Sequence, residues 1–163
     1  LVTEEGAKLF IRPVRPEDAP MFQEFFHVLS PTTVYYRFFR FVKELTREML
    51  ARYTQIDYDR EIALVALEDE APGERMLGVA RIIGDPDGKT GEVAVVVGDP
   101  WHGKGIGSAL LSKCLSIAKE RGFRTISGLV RKENVSMLAL GEKLGFKQKY
   151  ADLGELELVI ELE

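Results

Sequence analysis

The chain has 163 residues, 45% hydrophobic and 29% charged, which suits one compact domain over 1–163 and is too short for two of ordinary size. Its 26 acidic and 22 basic side chains leave a net charge of −4, which argues against a general affinity for nucleic acid or anionic lipid. One cysteine excludes an intramolecular disulfide and a cysteine-rich zinc site, two histidines leave little basis for a metal centre, and no apolar run reaches the ~20 residues of a membrane helix. The expectation is a soluble α/β domain of a reducing, cytoplasmic compartment, with no metal, nucleic acid or membrane among its partners. The chain begins at Leu1 rather than Met, as expected of a segment cut from a longer protein.

In chain order, Lys8–Arg15 reads as a strand, and Pro13 assigns it to a sheet edge. Pro16-Glu17-Asp18 opens a helix with acids in its first turn, and Met21, Phe22, Phe25, Phe26 and Leu29 form its apolar stripe. Ser30-Pro31 breaks it. The stretch 34–41 is crowded with aromatics and assigned to no element; Thr46 caps a further helix carrying Met49, Leu50 and Tyr53. Three strand-like runs follow, Ile62–Leu67, Met76–Ile83 and Glu92–Val97. An acidic turn at Pro72-Gly73 and the turn Asp85-Pro86-Asp87-Gly88 separate them, which predicts an antiparallel meander. Gly103–Gly107 then opens a helix with the buried stripe Leu110, Leu111, Cys114, Leu115 and Ala118. A strand over Thr125–Val130, a helix over Asn134–Leu144 and strands over Phe146–Tyr150 and Glu155–Leu162 complete the order βααβββ-αβ-αββ.

The chemistry concentrates in Glu92–Ser108. An apolar strand, Val93–Val97, runs into Trp101-His102-Gly103-Lys104-Gly105-Ile106-Gly107-Ser108 and then into a helix. The first turn of a helix exposes free backbone N–H groups and about half a positive charge. Glycines remove the Cβ atoms that keep a phosphate from those groups, so the segment suits a pyrophosphate, with Lys104 as a local cation. The competing reading is a turn whose glycines serve only its own backbone. Two other phosphate motifs fail. The dinucleotide fingerprint needs a G-x-G-x-x-G spacing in a parallel βαβ unit, and Gly84…Gly88-Lys89-Thr90 has one residue too few for a P-loop and leads into a strand.

Trp101–Gly107 with its following helix resembles motif A of the GNAT superfamily of acetyl-CoA-dependent N-acetyltransferases, His102 standing where Gln or Arg is usual. Asn134-x-x-Met-Leu-Ala-Leu-x-Glu-Lys-Leu-Gly-Phe146 resembles motif B. The opening Ile11-Arg-Pro-Val-Arg-Pro-Glu-Asp, with Ser30-Pro31 and Tyr36-Arg-Phe-Phe39, is similar to protein lysine acetyltransferases, domains often fused to an acyl-CoA synthetase. The resemblance implies an α+β GNAT fold: a mostly antiparallel sheet of about seven strands and about four helices, splayed between its fourth and fifth strands. It implies acetyl-CoA as co-substrate. Its pantetheine arm would lie along Val95, Val96 and Val97, its pyrophosphate on Gly103, Lys104, Gly105, Ile106, Gly107 and Ser108, and Asn134 would hydrogen-bond the arm. Val96 or Val97 would give the N–H that polarises the thioester carbonyl.

A lysine-like amine with a pKa of about 10.4 costs about 4.6 kcal/mol to present neutral at pH 7, so a positioned base is needed. Glu92 is the ionisable side chain of the run Glu92–Val97, and it falls where related protein acetyltransferases carry a catalytic glutamate. A solvated strand-end glutamate is the plain alternative. The superfamily's tyrosine acid is expected seven residues after Asn134, where this chain has Gly141. Direct attack by the amine, with the thiolate leaving unassisted or protonated by Tyr150, is then the implied route. Tyr35, Tyr36 or Arg37 would line the acceptor site. Asp57, Asp59 and Glu61 would draw a basic substrate or simply be a solvated turn, Cys114 reads as core, and His27 ends a helix. The expected acceptor is a protein lysine. The alternatives are a small amine or amino acid, or a non-catalytic acyl-CoA-sensing module of a larger synthetase.

Overall fold

A computed structural model describes residues 9–70 and 73–162; the predicted turn at Pro72 and the strand start at Lys8 lie outside them. Seven strands form one sheet in the order β1-β2-β3-β4-β5-β7-β6. At its edge is β1 (Leu9–Pro13), where Pro13 was expected to put it. The meander is β2 (Glu61–Glu70), β3 (Gly73–Gly84) and β4 (Thr90–Val97), antiparallel throughout. Then β5 (Thr125–Arg131) runs parallel to β4, and β6 (Lys147–Asp152) and β7 (Glu155–Glu161) close the sheet as an antiparallel hairpin.

Five helices flank the sheet, one more than the sequence reading. Short α1 (Ala19–His27) follows a 3-10 turn at Pro16–Asp18. The additional helix is α2 (Pro31–Phe38), in the aromatic stretch. Ser30-Pro31 is a start as well as a stop: the Ser30 side chain accepts from the Thr33 N–H, and Pro31 occupies the first helical position, where its missing N–H costs nothing. Thr46 caps α3 (Arg47–Thr54) by accepting from Met49 N–H, as its position implied.

Two cores lie on opposite faces of the sheet. Leu110, Leu111, Cys114, Leu115 and Ala118 of α4 (Ile106–Glu120) pack on one face with Ile82, Ile126 and Leu158. Phe22, Phe25 and Phe26 of α1 pack on the other with Val34, Val65 and Val79. Burial pushes the Cys114 thiol up to about 12, which leaves it an inert core residue. Helix α5 (Val135–Lys143) lies over β7.

Candidate active site

The pairing of β4 with β5 runs from Thr90–Thr125 to Glu92–Ser127 and stops there. Beyond Glu92 the two strands splay. Gly98 N–H donates to the Leu77 carbonyl at 2.8 Å on the β3 side, and the antiparallel register is unbroken from Gly84–Gly91 to Gly78–Val97. Alternation then turns the backbone of Val96 toward β3 and that of Val95 and Val97 toward the opening. Of the two N–H groups offered for the thioester carbonyl, that of Val97 faces the cleft and that of Val96 does not.

The opening holds a cavity of about 470 Å³. Val95, Val96 and Val97 line it from β4, Gly103, Gly105, Ile106, Gly107 and Ser108 from the turn and first turn of α4, and Asn134 from the cap of α5. These are the residues assigned to the coenzyme, except Lys104, which is not among the lining residues. Gly103 and Gly105 have φ of 76° and 84°, in the left-handed region, and no atom lies within 4 Å of where a Cβ would stand on either. The helix begins at Ile106, so these two glycines precede it, and the left-handed Gly105 is its N-cap. His102, at the motif's variant position, has its Nε2 at 2.7 Å from the Val97 carbonyl; because a carbonyl only accepts, Nε2 carries the proton. The side chain ties the turn to the end of β4.

A second cavity of about 260 Å³ lies on the β5 side of the fork. Glu92 lines it with Tyr36, Arg37 and Gly128. The Glu92 side chain is exposed, and no described residue hydrogen-bonds it. Tyr36, Arg37, Val95, Asn134 and Met137 line both cavities, so the two meet at the splay. Tyr35, Asp57, Asp59, Glu61 and Tyr150 line neither. The Asn134 side-chain oxygen Oδ1 accepts from Met137 N–H at 3.2 Å, so its capping role is filled while it borders both spaces.

Sequence reasoning missed Ser136, Met137, Ala139, Leu140 and Lys143 of α5, and Thr33 of α2, all of which line the larger cavity. The α5 set recurs at helical spacing from Asn134, and that period was the available signal. It also missed Asp99, whose carboxylate accepts from the Ser30 N–H (2.8 Å), the Ser30 hydroxyl (2.9 Å) and the Thr33 hydroxyl (2.9 Å). The turn that leads into the glycines is thereby fastened to the start of α2. Gly141 lies elsewhere: a Cβ there would stand 2.7 Å from Leu158 Cδ1, against the sheet, and the residue lines neither cavity. Helix α5 contains no tyrosine at all.

The profile of the acetyltransferase (GNAT) family matches residues 23–146. The chain is 32% identical over 143 residues to acetyltransferase PA5475 of Pseudomonas aeruginosa, covering 88% of this chain and 77% of the relative. It is 31% identical over 150 residues to acetyltransferase Pat of Mycolicibacterium smegmatis, covering 91% of this chain but 44% of Pat, so it spans less than half of that relative. The GNAT domain of S. lividans PAT superposes with a TM-score of 0.89 at 27% identity, covering 99% of this chain and 95% of that one. A splayed mixed sheet, a glycine-lined cleft at the fork and these likenesses place the chain in the GNAT family of acetyltransferases.

Proposed function

We propose that residues 1–163 are one acetyltransferase domain that moves the acetyl group of acetyl-CoA to the amine of a protein lysine, with Glu92 as general base. The observation that carries this reading is that two cavities, one lined by the glycine turn and one by Glu92, meet where β4 leaves β5. The similarity of Ile11–Asp18, Ser30-Pro31 and Tyr36–Phe39 to protein lysine acetyltransferases supports a protein acceptor.

The pyrophosphate would rest on the backbone N–H groups at Gly103–Ser108, where the helix start favours negative charge without a cluster of basic side chains. The thioester carbonyl would receive the Val97 N–H. A fixed donor at a developing oxyanion is typically worth about 3–4 kcal/mol of barrier. The acceptor nitrogen attacks the carbonyl carbon, the N–C bond forms, the C–S bond breaks, and the proton lost by the amine goes to Glu92. That carboxylate has free acceptor capacity, since no described residue hydrogen-bonds it. A small amine or amino acid is the second reading, favoured by the modest 260 Å³ of the Glu92 cavity.

Incubating the protein with isotope-labelled acetyl-CoA and a cell lysate, followed by mass spectrometry, separates the readings. Labelled lysine peptides are expected. Label confined to small amines overturns the protein acceptor, and label nowhere, with coenzyme A still bound, overturns catalysis in favour of a sensing module.

A further inference from the structure

Amide formation releases coenzyme A as a thiolate, and α5 has no tyrosine to receive it. Negative charge developing on sulfur needs either a proton or a positive partner. Among the described residues, Arg37 is the only basic side chain that lines both cavities, so it borders the place where acyl group, sulfur and amine meet.

Its surroundings are unusual for an arginine. The guanidinium packs over the rings of Phe38 and Tyr53, 5.1 and 5.6 Å from their centroids, and no described residue hydrogen-bonds it or forms an ion pair with it. A second cation stands behind it. Arg81, 5% exposed, packs over the same Tyr53 ring at 4.7 Å and donates to the Tyr53 carbonyl at 3.3 Å. Burial pushes both guanidinium groups below the ordinary arginine range, Arg81 to about 10. Two neighbouring desolvated cations cost free energy; Glu92 on the Arg37 side and Glu61 on the Arg81 side offset it by charge alone, neither forming an ion pair, and local rules of this kind are broken chiefly at functional sites. Arg37 still stays charged at neutral pH and offers a planar fork of N–H donors.

We propose that Arg37 is a further catalytic residue, holding the leaving thiolate of coenzyme A by charge and hydrogen bonding instead of by proton transfer. This rests on the acetyl-transfer reading above. As the N–C bond forms, the C–S electron pair departs with sulfur, Arg37 stabilises the resulting thiolate, and water protonates it later. Tyr36 also lines both cavities and would act differently, by giving its phenolic proton. The fixed positive charge, which no described residue meets in an ion pair or hydrogen bond, favours Arg37.

The test is an ultraviolet titration of the thiolate in the complex of the whole protein with coenzyme A. Cys114, at about 12, stays silent through the range that matters. A free thiol of this kind titrates at about 8.5, by analogy with cysteine, and the bound one is expected about one unit lower or more. Arg37→Met should return it to the free value and lower kcat about 100-fold with the KM for acetyl-CoA nearly unchanged. Arg37→Lys, which keeps the charge, should keep most of the depression. A bound thiol that titrates alike in wild type and Arg37→Met overturns the proposal. So does equal loss in both Arg37 variants, or a shift produced by Tyr36→Phe and not by Arg37→Met. Failure of wild type to bind coenzyme A overturns instead the acetyl-transfer reading itself.

Discussion

Glu92 stands at the last rung of the β4–β5 pairing, and that position gives it two properties at once. The strand holds its backbone, while the fork beyond it opens a space for its carboxylate. Glu92→Gln keeps the shape and removes the basicity. It should lower kcat at pH 7 by about 100-fold or more, with affinity for acetyl-CoA essentially unchanged, as read by steady-state rates and equilibrium titration. An unaltered rate would strip Glu92 of its role. The residue was legible in the sequence because it is the ionisable side chain of an apolar run. Arg37 was visible only as one of several residues near an acceptor site, since having Glu92 across a shared cavity and no ion-pair partner among the described residues depends on which side chains the fold brings near it. Gly141 shows the reverse case. The sequence announced a missing tyrosine, and the structure packs that position onto Leu158 and keeps it out of both cavity linings, so a larger side chain there would have to shift the buried Leu158.

Helix α2 is the element that makes the fork a chamber. It supplies Thr33, Tyr36 and Arg37 to the cavities, and three hydrogen bonds to Asp99 hold its first turn against the loop before the glycines. Burial raises the Asp99 carboxyl's affinity for a proton, but the Ser30 N–H and the Thr33 and Ser30 hydroxyls outweigh it and hold the group below its ordinary value of 3.8. A depressed carboxylate contributes stability above the unfolded-state pKa and loses it as pH falls through the lower folded-state value. Asp99→Asn should therefore destabilise the protein by about 1–3 kcal/mol at neutral pH, and the difference from wild type should shrink as pH falls below 3.8, followed by denaturant melts at several pH values. A difference independent of pH would show that the carboxylate's charge does not hold α2. The aromatic stretch hid this helix because Phe38, Tyr36 and Tyr35 carry no clean apolar period, whereas the cap Ser30-Pro31 was readable as either an end or a beginning.

At the scale of the whole molecule, the larger cavity, the proposed coenzyme site, joins β4, the α4 start and the α5 cap, elements far apart in sequence. A ligand that binds this assembled site and not the unfolded chain must stabilise the entire fold. Coenzyme A at 100 times its Kd should add about 2.7 kcal/mol, measured as a shift in thermal or denaturant midpoint. Gly105→Val should abolish that shift, because a β-branched residue strains at φ 84° and its side chain stands where phosphate approaches. A full shift retained in the variant would refute the anion site.

The sequence by itself determined the meander, the α4 stripe, the caps at Thr46 and Asn134 and the glycine turn, because periodicity, capping and turn chemistry act over a few residues. It also carried nearly every position from β4 to Ser108 that lines the larger cavity, since those lie in one continuous segment. Only the tertiary structure decided that Lys104 stays out of the cavity's lining, that Val97 and not Val96 presents its N–H to the cleft, that Asp99 fastens α2, and that Arg37 stands unpaired where the cavities meet. Those facts depend on strand register, on which edge of β4 goes unpaired, and on distances between segments tens of residues apart. No local pattern in the chain encodes such quantities; they exist once the sheet has closed on one side of the fork and opened on the other.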